Sequence, residues 1–278
     1  MQVVGRSSAR TRKTSGGARR SHRASNGGRL VECVDRVPVA TFFAPESLAA
    51  GGTVTLSQDA AHHIRVARVA VGECVGLRDG AGRGALGTLV KVSRSSALVD
   101  VSETSEIPRP APIHLLAPVA DKERMLWLAE KVTELGVTSW RPVTWRRSKS
   151  VSPRGEGPTF QAKIRARMTS ALLQSGGGWL PDVFPEATVE HAVAAAPLGT
   201  RVLLAEDGEP IAGVPMRTPI TIALGPEGGM EPSERDIFLG AAFLPVKLGP
   251  STLRFETAGV AAVAIAAATH ALSRQSNG

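Results

Sequence analysis

From residue 113 onward the chain alternates two hydrophobic patterns. Runs at 113–119, 202–205, 220–224 and 244–248 are mainly apolar, interrupted only by His114, Thr221 and Lys247, and of strand length, the pattern of strands covered on both faces of a parallel sheet. Between the first two, Met125, Leu128, Ala129, Val132 and Leu135 return at helical spacing. Asp121 supplies an N-cap for that helix and Gly136 ends it. Pro181 and Pro185 lead into a weak helix at 189–196, and 257–272 is almost entirely Ala, Val and Ile, a helix that must be buried or packed against another subunit. Residues 39–106 read differently, as short alternating runs broken by Asp79-Gly80 and further glycines, the pattern of β-hairpins. The 107–112 segment, Ile-Pro-Arg-Pro-Ala-Pro, is too stiff to continue either element and reads as a linker. The pattern thus predicts a small β-rich domain at 39–106 and an α/β domain with a parallel sheet at 113–274.

The runs at 220–224 and 244–248 share one local logic, since each passes through a Gly-Pro turn toward a helix. Two such units place two loops side by side at one sheet edge, where open α/β sheets bind ligands. In the first loop Gly225, Gly228 and Gly229 are expected to take positive φ and let the backbone approach a ligand, Pro226 fixes the bend, and Glu227 sets a carboxylate inside it. Glu231 falls at the N-cap of the following helix and Pro232 at its first position. In the second loop Leu248-Gly249 is followed by Thr252, Leu253, Arg254, Glu256, Thr257 and Ala258.

Charge sharpens this picture only after it is located. The chain carries a formal +8, but residues 1–40 hold nine Lys/Arg against Glu32 and Asp35, so the remainder is nearly neutral. The Ser-, Gly- and Arg-rich stretch 1–38 is expected to lack a fold. It also has the composition of an organellar transit peptide, of translated sequence ahead of a misplaced start, or of a basic RNA-binding arm. A second basic stretch, 141–167, has eight Lys/Arg, among them Arg146, Arg147 and Lys149, against Glu156 alone. Trp140 and Trp145 lie among these charges, and phosphate pairing with base stacking is how single-stranded RNA is gripped, although a solvated basic face has the same composition. His62, His63, Arg65 and Arg68 form either an RNA contact on one short helix or a solvated face. Cys33 and Cys74 have no metal-ligand spacing and point to a reducing compartment. No apolar run approaches the roughly 18 residues of a membrane span. Neither a dinucleotide-binding glycine fingerprint, nor a P-loop, nor clustered metal ligands occur.

Gly-Pro-Glu-Gly-Gly at 225–229, followed by LG-x-x-x-LR-x-ETA at 248–258, resembles the C-terminal signature of the RsmE family, the uridine-N3 methyltransferases of 16S ribosomal RNA in the SPOUT superfamily. The block DKERMLWLAEKVTELGV, with Lys131 and Glu134, is similar to that family's. So are His62, Val66 and Arg68 of HHIRVAR, with Ala67 where the family has Leu, and Arg147-Ser148-Lys149-Ser150. Two departures stand out: Leu173-Gln174-Ser175-Gly176-Gly177 keeps only Gln174 and Ser175 of the family's E-Q-S/C-x-R element, and Glu231 replaces a Ser. Gly176-Gly177-Gly178 before Trp179 suggests a flexible substrate loop.

The resemblance spans 41–272. It implies an α/β fold, a SPOUT-type trefoil-knotted parallel-sheet domain preceded by a small PUA-like β-barrel that binds RNA. It implies S-adenosyl-L-methionine as cofactor, held by Leu224, Gly225, Pro226, Glu227, Gly228, Gly229, Leu248, Gly249, Leu253, Arg254 and Thr257. Small-subunit ribosomal RNA in an assembled particle is the implied partner, contacted by His62, Arg68, Arg146, Arg147 and Lys149, with a homodimer in the cytoplasm, or in an organelle if 1–38 is a transit peptide, and with no metal and no membrane. Methylating uracil N3 requires removal of an imide proton while charge spreads onto two carbonyls. Arg254 is the candidate cation for that charge, and Glu227 or Glu256 is the candidate base, unless either merely orients Arg254. An RNA-binding protein with a decayed transferase site, and a phosphate-binding α/β enzyme using the first loop as an anion cradle, are the alternative readings.

Overall fold

The computed structural model describes residue 33 and residues 36–46, 48–150 and 155–275. Residues 1–32 fall outside that range, and with them the readings of the basic extension. Cys33 lies within the stretch expected to lack a fold, yet it is buried, with its Sγ 3.3 Å from Thr88 Oγ1. Ordered packing therefore begins ahead of residue 39.

The first domain contains β1 (Thr41–Phe43), β2 (Thr53–Leu56), α1 (Gln58–Val66), β3 (Cys74–Arg78), β4 (Arg83–Val92) and β5 (Ala97–Glu106). Its strands lie in the order β1-β3-β4-β5-β2, with β1 and β3 parallel and the other pairs antiparallel, so the mixed sheet curls about its own core of Leu56, Ile64, Leu77, Leu89 and Val99. The β3–β4 hairpin turns where Asp79-Gly80 predicts. Gly80 and Gly82 have φ of 76° and 95°, and the Asp79 carboxylate accepts the N–H groups of Ala81 and Arg83.

The second domain contains β6 (Ile113–Pro118), α2 (Lys122–Glu134), β7 (Ser139–Thr144), a 3-10 turn (Arg146–Ser150), α3 (Gly157–Ser175), β8 (Asp182–Val183), β9 (Ala187–Thr188), α4 (Val189–Ala194), β10 (Thr200–Pro210), β11 (Ile220–Ala223), α5 (Pro232–Gly240), β12 (Leu244–Lys247) and α6 (Phe255–Gln275). All its strand pairs are parallel, in the order β12-β10-β11-β6-β7-β8, with β9 also on β7. Alternation along each strand divides the core. Leu115 and Ile222 face one cluster with α2, α3 and α6, while Leu116 and Ala223 face another with α4 and α5. The Asp121 side chain caps α2 by accepting the Arg124 N–H at 3.0 Å, and Gly136 leaves the helix at φ 78°.

Four expectations need correcting. The 244–248 run is not a buried strand: β12 is the sheet edge, Leu244 is 51% exposed, and Val246 alone of its residues is fully covered. The run at 202–205 continues to Pro210 through a bulge, because Leu204 and Glu209 both pair with Val246. The glycines before Trp179 are not a free loop: the Gly178 carbonyl accepts the Gly82 N–H at 2.9 Å and Trp179 Nε1 donates to the Ile107 carbonyl at 2.8 Å, which seams the linker and first domain to the second. Finally, Phe255–Leu272 is long and apolar enough to cross a membrane by length and composition, with mean hydropathy 1.4, contrary to the reading of the sequence. Ala262, Val263 and Ala266 are nevertheless fully buried in the core beside β6 and β11.

Candidate active site at the carboxyl edge of the sheet

β11 delivers the chain to the edge, where the Leu224 N–H still donates to the Leu116 carbonyl of β6 and Leu224 is buried. Gly225 and Pro226 begin a turn closed by the Gly229 N–H on the Pro226 carbonyl at 2.9 Å. Of the three loop glycines Gly229 alone has positive φ, at 75°, which corrects that expectation for Gly225 and Gly228. Gly228 is needed for a different reason. A Cβ there would lie 3.1 Å from Arg147 Cβ and 3.2 Å from its carbonyl oxygen, tighter than ordinary contact. Glu231 is the N-cap of α5 and Pro232 opens it, as read from the sequence.

The first loop is fastened to the basic 3-10 turn by a residue that sequence reasoning missed. Glu234 is 3% exposed, and its two carboxylate oxygens accept the Arg146 N–H at 2.7 Å and the Glu231 N–H at 3.0 Å. A buried carboxylate persists only with such partners. Arg147 Nε in turn donates to Glu231 Oε1 at 2.6 Å. Arg146 and Arg147 therefore stand exposed beside the first glycine loop, while the Lys149 side chain is outside the described parts. Trp140 and Trp145 do not join them. Both are fully buried, and Trp145 stacks on Phe238 with ring centroids 5.3 Å apart, so neither offers a face to a base. Sequence position put them among cations, but they sit on the strand and its exit, where side chains point inward.

The second loop leaves β12 at the half-buried Leu248 and the exposed Gly249, where a Cβ would meet no atom within 4 Å. Thr252 Oγ1 donates to Glu206 Oε1 at 2.6 Å, a partner supplied by the β10 bulge and not visible in the sequence. Leu253, Arg254 and Thr257 are exposed. Among the described residues Arg254 has no side-chain partner, and its carbonyl accepts the Ala258 N–H at the start of α6. Neither Glu227 nor Glu256 pairs with Arg254, so the alternative in which one of them merely orients it finds no contact here.

Both candidate bases turn instead to Arg124, in the first turn of α2. Arg124 Nη1 lies 2.7 Å from Glu227 Oε1, and its Nε lies 3.9 Å from Glu256 Oε1. The other Glu256 oxygen, Oε2, is buried and has no hydrogen-bond partner among the described residues. A cation in the first turn of a helix opposes the helix dipole. Lys122 stands in the same turn and, among the described residues, pairs only with its neighbour Glu123, so the sequence held no signal that singled out Arg124.

The sequence matches the RNA methyltransferase domain family over residues 107–267 and the RNA methyltransferase PUA domain family over residues 56–102. The chain belongs to the RNA methyltransferase family. It is 29% identical over 232 residues to ribosomal RNA small subunit methyltransferase E of Synechocystis, covering 80% of this chain and 74% of that one. It is 28% identical to the enzyme of the same name from Mycobacterium bovis, over 82% and 91% of the two chains. Among solved structures, ribosomal RNA small subunit methyltransferase E of Neisseria gonorrhoeae, bound to S-adenosyl methionine, superposes with a TM-score of 0.75 at 28% identity, covering 84% of this chain and 97% of that one. A Legionella pneumophila protein in complex with the bound cofactor SAM gives a TM-score of 0.77 at 25% identity, over 84% and 98% of the two chains.

In this RNA methyltransferase the remaining candidates lie apart from the glycine loops. His62 is exposed on α1 of the first domain. Arg68 is exposed too, but it lies beyond that helix in a left-handed conformation with φ 57°, not on it as expected. Glu134 pairs with Lys131 at 2.8 Å on a groove of about 710 Å³ between α2 and α3, which Lys163, Arg167 and Gln174 also line. Lys131 and Arg167 hold the Glu130 carboxyl on this groove below the usual carboxylate range. The departure from the family pattern at 173–177 therefore falls beside this groove and not in the glycine loops.

Proposed function

We propose that this chain transfers a methyl group from S-adenosylmethionine to N3 of a uridine in 16S ribosomal RNA. The observation that carries the reading is the convergence of two glycine loops, an exposed Arg254 and two carboxylates at one sheet edge. The residues fit such a cofactor. Exposed loop backbone at Gly228, Gly229 and Gly249 is open to close approach, and the buried Glu256 Oε2 lacks a partner that a cationic ligand would supply. When bound, S-adenosylmethionine supplies an electrophilic methyl on a sulfonium.

The protein's own part follows from the geometry. Leu224, Gly225, Pro226, Gly228, Gly229, Leu248, Gly249, Leu253 and Thr257 form the walls that bind and orient the cofactor, so that the transfer becomes effectively unimolecular. Arg254, unpaired with any described side chain, is free to face the charge that develops on the uracil carbonyls as N3 loses its proton. A carboxylate of Glu227 or Glu256 accepts that proton. Arg146, Arg147 and Lys149 beside the first loop, with His62 and Arg68 on the first domain, contact RNA phosphates. The reading extends to a knotted passage of the chain at this edge and to a homodimer acting in the cytoplasm on the assembled small subunit.

Incubating purified protein and S-adenosylmethionine with small subunits from a strain lacking the enzyme, then mapping the rRNA by mass spectrometry, tests it. A single new 3-methyluridine is expected. A methyl group on another atom or another RNA, or none with the cofactor bound, overturns the assignment.

A further inference from the structure

The two glycine loops are not neighbours in the sheet. β11 feeds the first and β12 the second, and β10 lies between them and pairs with both, so the two strands are spaced through β10 but the loops beyond their ends share no direct strand pairing. Arg124 is the group that spans the gap. It leaves the first turn of α2, donates to Glu227 in the first loop at 2.7 Å, and approaches Glu256, on the first turn of α6 just past the second loop, at 3.9 Å. The guanidinium suits this task because its donors lie in one rigid plane and can serve two carboxylates at once, which a single ammonium does with far less geometric control.

The ion pairs are only partly screened by burial. Side-chain exposures are 35% for Arg124, 29% for Glu227 and 12% for Glu256. Pairs this wet contribute little to global stability. Nor does Arg124 support the core, whose α2 contribution comes from Met125, Leu128, Ala129 and Val132. Leu224 at the base of the first loop already packs beside Gly259 of α6, so what these contacts can do is hold the outer part of the first loop, at Glu227, in register with Glu256.

We infer that Arg124 is a positioning residue that sets the width of the cofactor pocket by tying Glu227 of the first loop to Glu256 beyond the second. This rests on the methyltransferase reading above for its consequence, but not for its geometry. In the cofactor-free protein, Arg124→Gln should raise amide hydrogen exchange in both 225–229 and 249–256 by about fivefold, the effect of losing a pair of this kind. Amides of β6 and β11 should exchange at the wild-type rate. S-adenosylmethionine affinity should fall by a similar factor and the single-turnover rate at saturating cofactor should also fall, with the melting temperature little changed. Arg124→Lys should restore protection at 225–229 but not at 249–256. Glu227→Gln, which cuts one arm from the solvent side, should reproduce the loosening of 225–229 without altering α2.

Unchanged exchange in both loops, or faster exchange spread over the whole sheet, overturns the inference. So does full rescue of both loops by lysine. If the loops loosen as stated but the wild-type protein binds no S-adenosylmethionine, the brace stands and the methyltransferase reading fails.

Discussion

Replacing Arg254 by alanine separates a catalytic cation from a structural one, because the structure removes the structural alternative in advance. The side chain is exposed, has no partner among the described residues, and its neighbour Glu256 is engaged by Arg124 instead. Surface substitutions of this kind change stability by about 0.5 kcal/mol or less. In a domain of this size that is a shift of roughly 1–2 °C in melting temperature, and cofactor affinity should stay within about threefold. If Arg254 stabilises charge mainly in the transition state, its loss should instead raise the barrier by about 2.7–4 kcal/mol, a drop of roughly 10²–10³ in rate. Arg254→Lys should recover part of that, since the charge is kept and the planar donor fork is not. The assay is single-turnover methylation of small subunits at saturating cofactor, run beside cofactor titration and a melting curve. Normal turnover by the alanine variant would refute the assignment, and so would a variant that melts early and loses cofactor in proportion.

Trp145→Ala should destabilise by about 3–5 kcal/mol, which at about 2–4 °C per kcal/mol lowers the melting temperature by several degrees or more, since Trp145 is fully buried on Phe238. A variant of normal stability that had lost RNA affinity would mean the ring is a stacking surface after all. Gly228→Val should weaken S-adenosylmethionine binding at least ~10-fold with little change in melting, because its Cβ would lie 3.1 Å from Arg147 and must push the loop away; calorimetry showing wild-type affinity would take this loop out of the pocket. The Cys74 thiol, pushed up to about 12 by burial first and by its hydrogen bond with Cys33 second, is protonated at pH 8. Native protein should therefore resist iodoacetamide there while denaturant-unfolded protein reacts, and rapid native labelling would contradict the buried geometry.

How much was legible in advance depended on how local the cause was. The strands at 113–118 and 220–223, the Asp121 and Glu231 caps, the Asp79-Gly80 hairpin and the two Gly-Pro loops are each dictated within a few residues, by propensity, capping and turn chemistry, and each formed where the sequence put it, whereas β7, β8 and β9 carry no apolar run long enough to have been read as strands. The exposed β12 was misread because an apolar run looks the same at the centre and at the edge of a sheet. The membrane-length window of α6 was passed over because Glu256, Thr257, Gly259, Thr269 and His270 interrupt its many alanines, so it does not read as an unbroken apolar run.

The sequence by itself determined the class of fold and the identity of the two loops, since these need only the order of apolar and turn residues along the chain. It could not determine which side chains those loops would meet. Arg124 reaches Glu227 across 103 positions of chain, Glu234 holds the Arg146 backbone across 88, and Thr252 meets Glu206 across 46. The same charged residues would fit an exposed helix or turn equally well, because water satisfies them there. Only the tertiary arrangement, which brings the first turn of α2 beside both the first loop and the start of α6, decides that Arg124 meets Glu227 and Glu256. Likewise Trp140 and Trp145 are buried on opposite faces of the sheet, Trp140 among α2, α3 and α6 and Trp145 against Phe238, while Arg146 next along the chain is exposed, a division made by the layers packed on each face.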